Sequence, residues 1–220
     1  GRERLLVGGH ALILGLTGGY CAGKSSAAAA LHEAGWTVID VDALGHAALE
    51  RSAPEVARLL GPGALKADGA PDRRAIGAMV FADPVLLARY EAIVHPAMNA
   101  LVEEAVSRAG PRACVDAAIL YRLPIVAACD TIIEARAPLA LRLIRGRARD
   151  GLGALAMLGR IRSQRPLRDA GKAWKGKTVV VWNALGEDGF KRRVVGLAER
   201  AFRSLAADLG AVDREPAPGA

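Results

Sequence analysis

"LTGGYCAGKSS", residues 16–26, decides the fold of this chain. Gly18, Gly23, Lys24 and Ser25 satisfy the spacing G-x-x-x-x-G-K-[ST], with Gly19, Tyr20, Cys21 and Ala22 at the variable positions and Ser26 just after. The apolar run ALILGL (11–16) precedes it and an alanine run follows, so the pattern predicts a strand, a loop and a helix in that order. Glycines let the backbone curl until several N–H groups face one concavity. A helix beginning at Lys24 adds the positive end of its dipole. Such a cradle suits the phosphates of ATP: Lys24 reaches the outer phosphates, and the Ser25 hydroxyl can ligate Mg²⁺. The bland alternative is a glycine-rich strand-to-helix turn with no ligand, which motif and context together disfavour.

Outward from the loop, short continuous apolar runs recur: TVID (37–40), ACVDA (113–117), TIIEA (131–135) and TVVVW (178–182). Continuous rather than alternating runs mark strands buried on both faces of a parallel sheet. Helical patterns at 24–34, 42–108, 138–149 and 188–209 separate them. The expected fold is therefore α/β: a P-loop NTPase-type three-layer α/β/α arrangement around a mainly five-stranded parallel sheet. The stretch between the second and third strands is too long for one crossover helix. Breaks at GPG (61–63), DGAPD (68–72), ADP (82–84) and HP (95–96) divide it into several helices forming a lobe at about 43–110. A smaller excursion at about 146–175 reads as a lid. One domain over 12–210 is expected, with a lead-in at 1–11 and a disordered tail at 211–220.

Composition narrows the function. Of 220 residues 52% are apolar but only 4% aromatic, which predicts an aliphatic core. The formal charge of +7 favours anionic partners. No run of 18 or more apolar residues suggests a membrane span. Three widely spaced cysteines, Cys21, Cys114 and Cys129, make neither a disulfide framework nor a zinc pattern; reduced thiols in a cytoplasm are the simplest reading. Eight arginines fall between 142 and 168 with no aromatic residue among them, which disfavours nucleic acid, since single-strand binders interleave stacking rings. Half of these arginines fit a solvated helical face. Arg145 and Arg149, one helical turn apart, are the candidates for a lid closing over phosphates.

The loop alone does not separate kinases from ATPases or GTPases. Asp40 and Asp42 follow the second strand; in extended chain they would face the same way, and either can orient a substrate hydroxyl. The competing role for Asp42 is a helix N-cap. Asp116, ending the third strand, stands where a carboxylate would hold the Mg²⁺ shell. No NKxD guanine-recognition sequence is present.

Taken in order, LTGG…GKS (16–25), VIDVD (38–42), DRR (72–74), VFADP (80–84), IVHP (93–96), VDA-x-ILY (115–121), RARDG (147–151) and RIRSQR (160–165) resemble the dephospho-CoA kinase family over roughly residues 12–200. That resemblance implies transfer of the ATP γ-phosphate, with Mg²⁺, to the 3′-hydroxyl of dephospho-CoA, the last step of coenzyme A biosynthesis. It implies Asp42 as the base, Arg73 and His95 in the substrate-binding lobe, and Asn183 near the adenine. It also implies a cytoplasmic enzyme, a monomer or weak homo-oligomer, with no membrane or nucleic-acid partner. The chain departs from the pattern at Ala118, where the family commonly has proline, at Arg122, where it has glutamate, and at Trp182, where aspartate usually precedes the asparagine. Two other readings follow: another nucleotide or small-molecule P-loop kinase, or a catalytically impaired ATP-binding regulatory protein.

Overall fold

The computed structural model describes residues 12–184 and 186–212. The lead-in at 1–11 lies outside the described residues, as do residues 213–220 of the expected tail; Ala211 and Val212 close the last helix. The chain forms two units: one takes it up to Ile39 and again from Val106, the other is Asp40–Ala105.

Five strands build the sheet of the first unit: β1 (Leu12–Gly18), β2 (Thr37–Asp40), β3 (Arg112–Asp116), β4 (Thr131–Arg136) and β5 (Thr178–Trp182), in the order β2-β3-β1-β4-β5. β1 runs parallel to both β3 and β4, and β4 parallel to β5. The central strand is buried from Leu12 through Thr17, which is why its sequence is a continuous apolar run. Register aligns Leu16 with Asp116 and Gly18 with Ala135, so β1, β3 and β4 deliver their carboxyl ends to one edge. In open α/β sheets that edge is where ligands sit.

Helices α1 (Lys24–Glu33) and α9 (Glu187–Val212) pack together beside the sheet. Leu12, Leu14, Leu16, Leu31, Trp36, Phe190, Val194 and Ala198 form one apolar cluster there. Arg112 spans its rim, salt-bridged to Glu199 at 2.7 Å and stacked 4.4 Å over the Phe202 ring. At Gly15 a β-carbon would lie 2.8 Å from Leu120 and 3.1 Å from the Cys129 sulfur; the glycine lets those side chains close on β1. Between β4 and β5 lie α6 (Leu139–Asp150), α7 (Ala154–Ser163) and α8 (Arg165–Ala170).

The second unit holds α2 (Val41–Arg51), α3 (Ala53–Leu60), α4 (Arg73–Val80) and most of α5 (Pro84–Arg108), around buried Val56, Ala64, Ile76, Val80, Val94 and Met98. Asp72 caps α4 through the amides of Arg74 and Ala75, and Asp83 accepts from Val85 and Leu86 at the start of α5. The expected break at His95–Pro96 does not occur: α5 runs through Pro96 for 25 residues. Proline forfeits one backbone bond there, but Val94, Met98, Leu101 and Val102 share a buried face, and that burial holds the helix together.

Candidate active site

Gly18 ends β1 with no room for a side chain, since a β-carbon would meet the Ala135 carbonyl oxygen at 2.9 Å. The backbone then turns, with the Ala22 amide donating to the Gly19 carbonyl at 3.0 Å. Cys21, at φ 54°, and Gly23, at φ 108°, take left-handed conformations. Gly23 stands at the N-cap of α1 and supplies no side-chain cap, so the amides of the first turn are left to whatever occupies the loop.

Lys24 opens α1 and places its Nζ 2.7 Å from Asp116 Oδ1, with both side chains largely buried. The sheet register makes this pair, because Asp116 ends β3 beside β1. Ser25 is exposed in the first turn, and Ser26 donates to Glu187 Oε1 at 3.0 Å.

Asn183, the residue after β5, supports the loop. It is buried, and its side-chain amide donates to the Ala22 carbonyl at 3.3 Å. Arg145 Nη2 donates to Asn183 Oδ1 at 3.1 Å. A β-carbon on Gly23 would fall 2.3 Å from Asn183 Nδ2, so loop and asparagine require each other's shape. Arg145 Nη1 is buried with no partner. An orphaned guanidinium nitrogen beside a lysine-bearing helix N-terminus fits an anionic nucleotide. Among the described residues no three His, Cys, Asp or Glu side chains converge as a metal cage. The oxygen donors at the loop, Ser25 and Asp116, are of the kind that suit a hard cation such as Mg²⁺.

Beside the loop lies a recess lined by Thr17, Gly19, Ala118, Tyr121, Glu134 and Arg142, among others. Glu134 is buried; it accepts from Tyr121 at 3.1 Å and from Arg136 at 2.6 and 3.1 Å. Burial, with the nearby Glu134 carboxylate, pushes the Tyr121 hydroxyl up to about 12. Sequence reasoning passed over Glu134, although an acid inside the otherwise apolar TIIEA strand is a signal. Asp150 and Gln164 lie inside the RARDG and RIRSQR stretches, which gave neither of them a role. Arg149 pairs with Asp150 at 2.8 Å, and Arg122 and Trp182 are exposed.

Lys24, Ser25, Asp116, Arg145 and Asn183 thus come together in the first unit. Asp42, Arg73 and His95 belong to the second. β2 stops at Asp40, which caps α2 through the amides of Asp42 and Ala43 at 2.9 and 3.1 Å. Asp42 lies in the first helical turn, exposed, and is not the cap. The extended-chain expectation for the pair therefore fails: the helix starts one residue too early. Arg73 opens α4, exposed, and His95 is half-buried on α5.

A parallel sheet whose central strand runs through a glycine loop into a helix, with the loop lysine held by a carboxylate on the next strand, defines a P-loop phosphotransferase architecture. The family model described as CoaE, dephospho-CoA kinase, matches residues 12–184. The dephospho-CoA kinase of Anaeromyxobacter dehalogenans is 38% identical over 205 residues, covering 90% of this chain and 94% of that one. A solved structure from Thermus thermophilus, 32% identical, superposes with a TM-score of 0.73 and covers 91% of this chain and 98% of its own. The dephospho-CoA kinase from Campylobacter jejuni, 21% identical, shares the fold with a TM-score of 0.57 over 86% of this chain and 96% of that one. The chain belongs to the dephospho-CoA kinase family. No helix among the described residues is long and apolar enough to cross a membrane.

Proposed function

We infer that this chain transfers the γ-phosphate of ATP to the 3′-hydroxyl of dephospho-CoA, giving coenzyme A. The observation that carries the reading is the Lys24–Asp116 pair set against the uncapped start of α1, in a chain matched to the family over residues 12–184. The loop from Gly18 to Ser26 receives the phosphates on backbone amides, and Lys24 neutralises their outer charge. Ser25 and Asp116 would hold Mg²⁺, which when bound spreads the negative charge of the transferring group. Asp42, left free of capping duty, orients the acceptor hydroxyl and takes its proton. Arg73 and His95 bind the acceptor, and Arg145 and Arg149 stabilise the charge in transit. Asn183 acts by fixing Ala22, whatever it offers an adenine. The setting is the cytoplasm, the partner a small molecule rather than membrane or nucleic acid, and the working form a monomer or weak homo-oligomer.

The test is ADP release with ATP–Mg²⁺ and dephospho-CoA, beside a no-acceptor control and a panel of nucleoside monophosphates. Release that depends on dephospho-CoA is expected. Release only with a monophosphate would make this a different P-loop kinase, and tight ATP binding without transfer to any acceptor would make it a regulatory protein.

A further inference from the structure

Tyr20 occupies a variable position of the glycine loop, where the loop needs no side chain, and yet it is the most engaged residue there. Its hydroxyl donates to Asp150 Oδ2 at 2.5 Å. Its ring is flanked by two guanidiniums, Arg149 at 5.0 Å and Arg160 at 5.7 Å. Asp150 joins these groups, pairing with Arg149 at 2.8 Å and Arg160 at 3.1 Å. Its hydrogen bonds from Arg149 and Tyr20 hold its carboxyl down at about 2, so it stays ionised throughout the neutral range.

The lid carries a socket for this ring. Gly146 is buried inside α6, and a β-carbon there would meet the ring at 2.9 Å and the Met157 sulfur at 2.7 Å. Glycine in mid-helix is destabilising relative to alanine. Here its missing side chain is the space that the ring takes. The Tyr20 backbone is tied to the same region: its carbonyl accepts from Arg142 Nε at 2.6 Å, and its amide donates to Gln164 Oε1 at 2.8 Å. One loop residue is thereby fastened to α6, to α7 and to the residue that follows α7.

We propose that Tyr20 is a positioning residue that fastens the lid to the phosphate loop and presets Arg149 and Arg160 for the nucleotide before it binds. Two guanidiniums stacked on one ring and bridged by one carboxylate keep their orientation at little further cost in side-chain entropy when phosphate arrives. Without the ring, the nucleotide itself must order the lid, and its apparent affinity falls accordingly. This rests on the reading of the lid arginines as phosphate ligands, so the test has an arm that needs no substrate.

The experiment compares full-length parent, Tyr20→Phe, Tyr20→Leu and Tyr20→Ala, each checked for folding by circular dichroism. In the first arm, limited trypsin digestion without substrates is followed by mass spectrometry. Cleavage after Arg149 and Arg160 is expected about tenfold faster in Tyr20→Ala, and only a few-fold faster in Tyr20→Phe, which keeps the ring. Tyr20→Leu fills the socket without a π face; it covers the case of an unfolded alanine variant and is expected to lie between the other two. In the second arm, KM for ATP is expected to rise about tenfold in Tyr20→Ala with kcat changed by less than about threefold, and Phe is expected to restore most of it. Merely structural damage would instead lower kcat through loss of folded enzyme and leave KM alone. Parent-like cleavage in both Ala and Leu variants would overturn the proposal, as would a fall in KM, which would mean that the ring sequesters the arginines. If the parent showed no turnover of dephospho-CoA, the functional reading would fail while the digestion still decided whether the fastening exists.

Discussion

Lys24 and Asp116 sit 2.7 Å apart with their side chains 17% and 9% exposed, so each is the other's charge partner in a poorly solvated place. Lys24→Met is expected to lower turnover by about 10²–10³-fold through loss of phosphate stabilisation. The same substitution takes the Lys24 cation away from a buried carboxylate, and urea unfolding should show a stability loss of ~1–3 kcal/mol. Asp42→Asn belongs to the other unit and should behave differently. With the cap role held by Asp40, unfolding should be nearly unchanged, calorimetric ATP binding kept, and turnover reduced by about 10²–10⁴-fold. A parent-like rate would remove Asp42 from the chemistry. Lys24, Ser25 and Asp116 were legible in the sequence because motif spacing and strand ends fix their positions. What was not legible is the bonding of Tyr20 to Asp150 and Gln164 and of Tyr121 to Glu134, 130, 144 and 13 residues apart, because no motif pairs those stretches.

The strand–loop–helix element depends on two glycines whose reasons differ. Gly18 is required by the approach of β4, whereas Gly23 is required by both its φ of 108° and the Asn183 amide. Gly23→Ala should cost ~1–3 kcal/mol in backbone strain alone, read by thermal or urea unfolding, and should also weaken ATP binding because the first-turn amides shift. The five strands could be read from continuous apolar runs to within a residue or two. The elements misread were those whose limits are set by competition: α5 passes Pro96 because a buried face outweighs one lost bond, and α2 begins early because Asp40 caps it. Neither contest is visible in a local pattern.

Across the molecule, all three tyrosines are held neutral above the ordinary 10.0. The hydrogen bond to Asp150 raises Tyr20, and burial raises Tyr90 and, to about 12, Tyr121. A raised value means that the unfolded chain releases its protons first as pH climbs. Tyr121's contribution to stability is therefore complete below pH 10.0 and lost as pH rises to about 12, and those of Tyr20 and Tyr90 are likewise lost only as pH rises above 10.0. Ultraviolet titration should find less tyrosinate in the folded chain at pH 10.0 than in the unfolded one, where each tyrosine is half ionised; half-ionisation of all three in the folded chain at that pH would refute the burial and bonding described. The division into two units was visible only as a helical lobe, since its boundary at Asp40 falls within the motif itself.

The most direct measurement follows the phosphoryl group itself: ATP labelled at the γ-phosphate, incubated with Mg²⁺, dephospho-CoA and either the parent chain or Lys24→Met. The label should appear in coenzyme A on the ribose 3′-oxygen with the parent and be all but absent with the variant. Label released only as inorganic phosphate, or label in coenzyme A at equal rates with both proteins, would contradict a loop-held transfer to that hydroxyl.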